Sequence, residues 1–417
     1  MCGTPPVYKT PDRQLTDKIS VGNPIGDLFG EYGEQYINIY KPSLQQIKLI
    51  RAIRVCKTPT LGGTIIRCKD CGHKHYIYHS CGHSHCMICQ SIKREQWIDK
   101  LRNQLLKVPY VHTVFTLPHQ LNGLARSNEN VIYSLIMRVA WMTIKALGNK
   151  QGFTAGMTSI LHTFGSDMKY HIHVHALVTF GGLNQDSAWI YPKDKHKLDK
   201  YRSICSSYKT IFIKELRQLY KKGTITYHHD FEGLISDVEK IRWVVHTTRP
   251  SMDTKVIEDY LAKYINRIAV SNKRLDYIKD SQKVILLHND YKNQQAGQVA
   301  PKAYKIMEPL VAIDQILQHV LPPYFQKSRR YGIHNSSSRL KESIPNAVKR
   351  NSQTIRTVFE IITELMKHNP YKCERCHSDN HQTEDIKPDK TWILTHINSP
   401  IPRPPPAIKV LEKSKPI

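Results

Sequence analysis

Residues 169–182 read KYHIHVHALVTFGG. Successive side chains of a strand point to opposite faces. Ile172, Val174, Ala176, Val178 and Phe180 therefore share one face. His171, His173, His175, Leu177 and Thr179 share the other. The β-branched residues favour extended backbone, and Gly181 and Gly182 end it. One face must pack on a core while three imidazoles line its reverse. A His-rich surface strand is the bland reading; a metal or catalytic edge is the sharper one.

The cysteines add a second constraint. Six of the ten lie between Cys56 and Cys89, in a stretch with little apolar material. A segment of that kind folds around metal rather than around a core. Residues 68–90, CKDCGHKHYIYHSCGHSHCMICQ, contain two C-x-x-C pairs. Cys68, Cys71, Cys86 and Cys89 predict a tetrahedral Zn²⁺ site, because zinc prefers soft sulfur and imidazole donors. Cys56, His79, Cys81, His83 and His85 are left over. They could build a second site, or Cys81 and His85 could replace one of the four. A further pair, Cys373 and Cys376, lies near His377 and His381 and offers half a zinc site. Cys2 and Cys205 stand alone and read as inert. The N-terminal residues lack the apolar core of a secretory signal, and no stretch reaches roughly 18–20 uncharged apolar residues. The expected compartment is the cytoplasm, where cysteines serve metals more often than disulfides.

The pattern along the chain divides it into five parts. Residues 1–55 are an irregular lead-in followed by a helix. Residues 56–98 are the zinc module. Residues 99–300 alternate helices with strands: YVHTVFTL, GMTSILHTFG, the His-rich strand and IRWVVHTT are strands, and 129–148, 199–222 and 254–268 are helices. KRLDYIKD and QKVILLHND suit a hairpin. The expected class is α+β, an antiparallel sheet flanked by helices. Residues 301–377 are a C-terminal helical region carrying the possible knuckle. Residues 378–417, with SPIPRPPP, read as a disordered tail.

Sixty-one Lys and Arg against 35 Asp and Glu give a net charge of +26, which points to a polyanionic partner, nucleic acid first. On the helix VIEDYLAKYINRI, Tyr260 and Tyr264 are four residues apart and so share a face. Lys263 and Arg267 continue round from Tyr260. Tyrosines at this spacing are commonly core residues. A phenol with a pKa near 10 is a weak nucleophile, but it can attack a phosphodiester when a divalent metal polarises the phosphate and cations stabilise the charge.

These residues resemble the rolling-circle insertion-sequence transposases (the IS ninety-one type) of the HUH endonuclease superfamily. HUH denotes His, hydrophobic, His, here His173-Val174-His175. The resemblance runs from about Leu49 to about His334. It includes CKTPTLGG, HSCGHSHCMICQ, VPYVHTVFTLPHQLN, HIHVHALVTFGGL, YLAKYINRIAVSNKRL and HVLPPYFQKSRRYGIH. The chain departs from the usual pattern at Ile172, at His83-Ser84 and at Met87. The resemblance implies a transposase that nicks and rejoins single-stranded DNA through a 5′-phosphotyrosine. Tyr260 and Tyr264 would be the nucleophiles, with Tyr260 favoured for the first attack, and Lys263 and Arg267 would stabilise charge. His173 and His175 would hold Mg²⁺ or Mn²⁺, with His171 or His162 as third ligand. DNA would be the partner, as single-stranded or hairpin ends of the element and as target. The competing readings are a plasmid rolling-circle initiator or relaxase and a non-catalytic zinc-containing DNA-binding protein.

Overall fold

The computed structural model describes residues 23–103, 105–193, 201–252, 270–291, 293–295, 298–335, 342–349, 354–366, 369 and 372–391. The class is α+β with antiparallel sheets, as the alternation predicts.

Two capped helices come first among the described residues. Helix α1 spans Pro24–Tyr40; the Asn23 side chain accepts from Gly26 N–H at 3.1 Å, and proline sits in the first turn. Helix α2 spans Leu44–Val55 behind a capping box of Ser43 and Gln46. Where the sequence predicts an irregular lead-in followed by one helix, helix already starts at Pro24, because Asn23 caps Gly26 N–H and the proline has no N–H to satisfy. Strands β1 (Gly63–Cys68) and β2 (Lys74–Tyr78) form a hairpin. Helix α3 spans Ser91–Arg102, and strand β3 spans Tyr110–Thr116. Helix α4 covers Glu129–Lys150. Strands β4 (Gly156–Phe164) and β5 (Tyr170–Thr179) pair next. Helices α5 (Tyr201–Lys221) and α6 (Phe231–Lys240) lead to β6 (Val245–Thr247). Strands β7 (Leu275–Ile278), β8 (Lys283–Asn289) and β9 (Lys302–Met307) form the expected hairpin plus one strand. Helix α7 (Pro309–Leu317), strand β10 (Ser328–Gly332), helix α8 (Val358–Met366) and strand β11 (His381–Ile386) follow.

The main sheet has the order β10-β4-β5-β3-β6. Its apolar face carries the alternation read from the sequence. Ile172, Val174, Ala176, Val178 and Phe180 of the β5 segment are buried with Val111, Phe115, Met157, Leu161 and Val245. Helices α4, α5 and α6 cover them through Ile136, Ala140, Ile144, Tyr208, Phe212, Leu216 and Ile235. Helix α4 has the length and composition to cross a bilayer, yet 61% of its apolar window is buried inside the protein. It is a core helix of this fold. The reverse face is not all solvent. Tyr110, Ile160 and Leu177 pack against Ile98 and Leu101 of α3 and against Ile333, Ile344 and Val348, leaving the histidine end of β5 outside that second core.

A third cluster joins distant parts of the chain. Helices α1 and α2 pack on β7, β8 and α7 through Ile25, Leu28, Phe29, Leu49, Ile50, Leu275, Val284, Leu286, Ile313 and Ile316. The sheet and this cluster both recruit residues beyond 300. Strand β10 forms one edge of the main sheet, paired with β4. The tail expected to be disordered from residue 378 begins instead with β11, which pairs antiparallel with β1 from Gly63↔Ile386 to Cys68↔His381.

A buried ion-pair network docks α3 against the segment leading into α8. Arg356 grips Asp99 with Nε to Oδ2 at 2.9 Å and Nη2 to Oδ1 at 2.9 Å, reaches Glu95 at 3.1 Å, and also contacts Glu364. Burial disfavours the charge on Asp99, but hydrogen bonds from Arg356 outweigh it and hold the carboxyl below its usual range. Arg102 also pairs with Asp99, at 3.0 Å, and Arg356 is only half-buried, so removing Arg356 costs less than the roughly 3–5 kcal/mol of a fully stranded buried charge. Arg356→Met should lower unfolding free energy by about 2 kcal/mol in urea titration. The folded-state pKa is depressed, so the carboxyl's contribution is fully present above its unfolded value, near pH 4, and fades as pH falls through the folded pKa. The gap between wild type and variant should narrow at low pH; a gap constant from pH 7 to 3 would contradict this.

Candidate active site and metal centres

The antiparallel register of β4 and β5 sets His162 directly opposite His173 and Ile160 opposite His175. Three imidazoles thus meet on one face: His162, His173 and His175 each offer a ring nitrogen, and these atoms lie within 4.8 Å of one another. His162 and His175 are buried, and His173 is half-buried. The pairing shifts between His162 and Phe164, a local irregularity of the kind found beside functional sites.

Hydrogen bonds fix one tautomer. His173 Nδ1 lies 3.0 Å from the His171 carbonyl oxygen, which can only accept. Nδ1 therefore carries the proton, and neutral His173 presents a bare Nε2. That Nε2 faces His175 Nε2 at 3.1 Å. Two nitrogens this close need a shared proton or a cation. Behind His175 stands His112, its Nε2 at 3.1 Å from His175 Nδ1. Burial first, then the charges of His246 and His173, push the His112 imidazole down to about 3, so it is neutral near pH 7. In the tautomer that carries its proton on Nδ1, His112 would accept from His175 Nδ1–H and leave the His175 Nε2 lone pair aimed into the cluster. A metal-ligating histidine is commonly oriented through its second nitrogen in this way.

His112 was not singled out in the sequence. Its signal lay in YVHTVFT, where Val111 and Phe115 mark the core side and His112 falls on the opposite one. His171, a candidate ligand, is not in the cluster. It is exposed, and it serves through its carbonyl. His162 holds the third corner instead, because the register brings it opposite His173. Tyr260, Tyr264, Lys263 and Arg267 lie outside the described residues.

The cysteines sort differently from the expectation. Cys56, Cys81, Cys86 and Cys89 form one cluster, and Cys68, Cys71, Cys373 and Cys376 form another. The predicted quartet of Cys68, Cys71, Cys86 and Cys89 is thereby split between the two. Each C-x-x-C is a local knuckle, but a different partner completes it. In the first cluster Cys56 arrives from the end of α2, and Cys81 and Cys89 sulfurs lie 3.7 Å apart. Zinc with four Zn–S bonds of about 2.3 Å requires sulfur–sulfur edges of roughly 3.8 Å, so the donor set fits. Three facing thiols, those of Cys56, Cys81 and Cys86, drive Cys89 towards thiolate. His85 belongs to neither cluster: its Nε2 accepts from Leu321 N–H at 3.2 Å, and burial pushes its pKa down to about 4. His79 lies 3.1 Å from the Leu61 carbonyl, and His83 Nδ1 accepts from His85 N–H at 3.2 Å.

The role given to His112 has a direct check. His112→Ala should weaken Mn²⁺ binding by about 10- to 100-fold in calorimetric titration, with the fold retained. Unchanged affinity would make His112 a packing residue only.

Comparison with known proteins matches both of these regions of the chain. A family described as "Transposase zinc-binding domain" matches residues 28–117, which hold the first cysteine cluster. A family described as "Putative transposase" matches residues 156–341, which hold all three clustered histidines. The "Putative transposase y4qJ" of Sinorhizobium fredii is 28% identical over 389 residues, covering 88% of this chain and 96% of its own. The "Transposase for insertion sequence element IS801" of Pseudomonas savastanoi pv. phaseolicola is 24% identical over 295 residues, covering 69% and 70%. No solved structure matches. The zinc-binding and transposase regions follow one another in a single chain, and the protein belongs to the IS91-type insertion-sequence transposases.

Proposed function

We propose that this transposase cuts and rejoins single-stranded DNA through a covalent 5′-phosphotyrosine, in rolling-circle-type transposition of its own element. The observation that carries the reading is the convergence of His162, His173 and His175 on adjacent central strands. Two of them form the His-hydrophobic-His pair on which the family resemblance rests.

The chemistry follows from the residue types. The phenolic oxygen of Tyr260 or Tyr264 attacks the scissile phosphorus. The phosphorus–O3′ bond breaks, the 3′ oxygen leaves and takes up a proton, and the 5′ phosphate stays on the tyrosine. Attack by a 3′-hydroxyl reverses the step and restores the phenol. Mg²⁺ or Mn²⁺ at the histidines would withdraw charge from the phosphate during both steps. The imidazoles need only hold their bare nitrogens inward, and hydrogen bonds donated to the His171 carbonyl and to His112 favour that arrangement. Lys263 and Arg267 are assigned to the phosphate charge. Tyr260 is favoured for the first attack because, on the helix expected from the sequence, it would fall beside both cations. A second tyrosine lets strand transfer follow without a new cofactor.

Two alternatives use parts of the same inventory. A plasmid initiator or relaxase shares the chemistry, but the zinc-binding domain and the transposase relatives favour the insertion-sequence reading. A non-catalytic zinc DNA-binding protein would not need the histidine convergence.

Incubation with single-stranded ends of the element and Mg²⁺ should yield a covalent protein–DNA band on denaturing gels. His173→Ala and EDTA should each abolish it while DNA binding persists. Tyr260→Phe with Tyr264→Phe should abolish it too, since only the hydroxyls are removed. An adduct on the double variant, or full cleavage in EDTA, would overturn the reading. Affinity should also fall steeply with salt, because +26 implies several phosphate contacts and counterion release. A flat plot of log affinity against log salt would contradict the electrostatic part.

A further inference from the structure

We propose that Cys68, Cys71, Cys373 and Cys376 hold a second zinc ion, which joins the β1–β2 hairpin to the distant segment carrying β11 as one discontinuous zinc ribbon. The proposal is independent of the strand-transfer reading. It places the zinc-binding region partly outside both matched families, which end at residues 117 and 341.

The donor geometry is the first support. The four sulfurs lie within 4.8 Å of one another, with Cys68–Cys376 and Cys71–Cys373 both at 3.5 Å. A disulfide needs about 2.05 Å, whereas a zinc tetrathiolate has edges of roughly 3.8 Å. All four cysteines are free thiols. Four sulfur donors select zinc or an iron–sulfur centre over hard cations.

The backbone repeats itself around the two pairs. Gly72 N–H donates to Cys68 C=O at 3.0 Å, and His377 N–H donates to Cys373 C=O at 2.9 Å. Cys68 N–H donates to His73 C=O at 2.9 Å, and Cys373 N–H donates to Ser378 C=O at 2.8 Å. The residue after each second cysteine is left-handed, Gly72 at φ 71° and His377 at φ 59°. A histidine adopts that conformation rarely. Two segments about 300 residues apart in sequence thus form the same knuckle and face each other.

The surrounding chain is built to receive this closure. Strand β11 pairs along the whole of β1. Asp70 accepts from the Asn380 side chain at 2.8 Å and from the Ser378 hydroxyl, and Lys69 N–H donates to Asn380 C=O at 2.9 Å. Gly62, at φ 74°, admits β11 because it lacks a Cβ: one there would meet the Ile386 carbonyl at 2.5 Å. Yet the sheet β11-β1-β2 has almost no core. The inner residues of β1 are half-buried, β2 mixes half-buried and exposed residues, and β11 is largely exposed. Apolar burial cannot offset the entropy of joining such distant segments, and metal binding can.

Metal counting on the full-length protein tests the proposal. Elemental analysis of wild type, with zinc release followed during mercurial titration, should give two zinc ions per chain. Cys373→Ser with Cys376→Ser should retain one, and trypsin should then release the segment carrying β11. One zinc per wild-type chain, iron in its place, or two zinc ions kept by the double variant would overturn it. The wild-type count decides even if the variant fails to fold, and failure of the nicking assay would leave the count untouched.

Discussion

The register between β4 and β5 is the constraint on which the candidate site depends. Pairing His162 with His173 puts three imidazoles on one face and Leu161 with Val174 on the other. A slip of one residue would exchange the faces, sending histidines into the core and valines to the site. The apolar side prevents this, because Ile172, Val174, Ala176 and Val178 lie beneath α4, α5 and α6. The hydrophobic effect that folds the sheet therefore also aims the ligands. The same ladder extends to β3, where it delivers His112 behind His175.

The rest of the molecule solves a different problem. The module around residues 56–90 has too little apolar surface to fold by burial, so its shape depends on thiols. The first cluster is anchored because Cys56 ends α2, whose Leu49, Ile50 and Ile53 belong to the N-terminal core. The second cluster lies on a thin sheet and gathers two segments distant in sequence. Between these modules and the main sheet, the Arg356–Asp99 network ties α3 to the approach of α8. Burial, metal and buried charge each act where the others are weak.

Much of this was legible from residue order. Period-two alternation identified β5 and its faces, and the helices at Glu129–Lys150 and Tyr201–Lys221 fell where their apolar periodicity put them. The hairpin of β7 and β8 was readable from its short apolar runs. Proline-rich composition misled at the C-terminus, where β11 precedes the proline run and owes its order to β1. The Asn-Pro helix start at Pro24 was a local signal overlooked among glycines and aspartates.

Local chemistry is a short-range property, and sequence by itself determined it here: which residues are thiol knuckles, which strand bears imidazoles, and that the chain is strongly basic. Which groups meet is a matter of register and closure, and only the tertiary structure decided it. His171 and His162 were equal candidates in sequence, yet strand pairing puts His162 against His173 and leaves His171 exposed. The C-x-x-C at Cys68 looks the same whether it joins Cys86 and Cys89, about 20 residues away, or Cys373 and Cys376, some 300 away. Spacing encodes the turn of a knuckle because that turn is set by adjacent dihedrals. It does not encode the partner, because the partner is chosen by the packing of everything between.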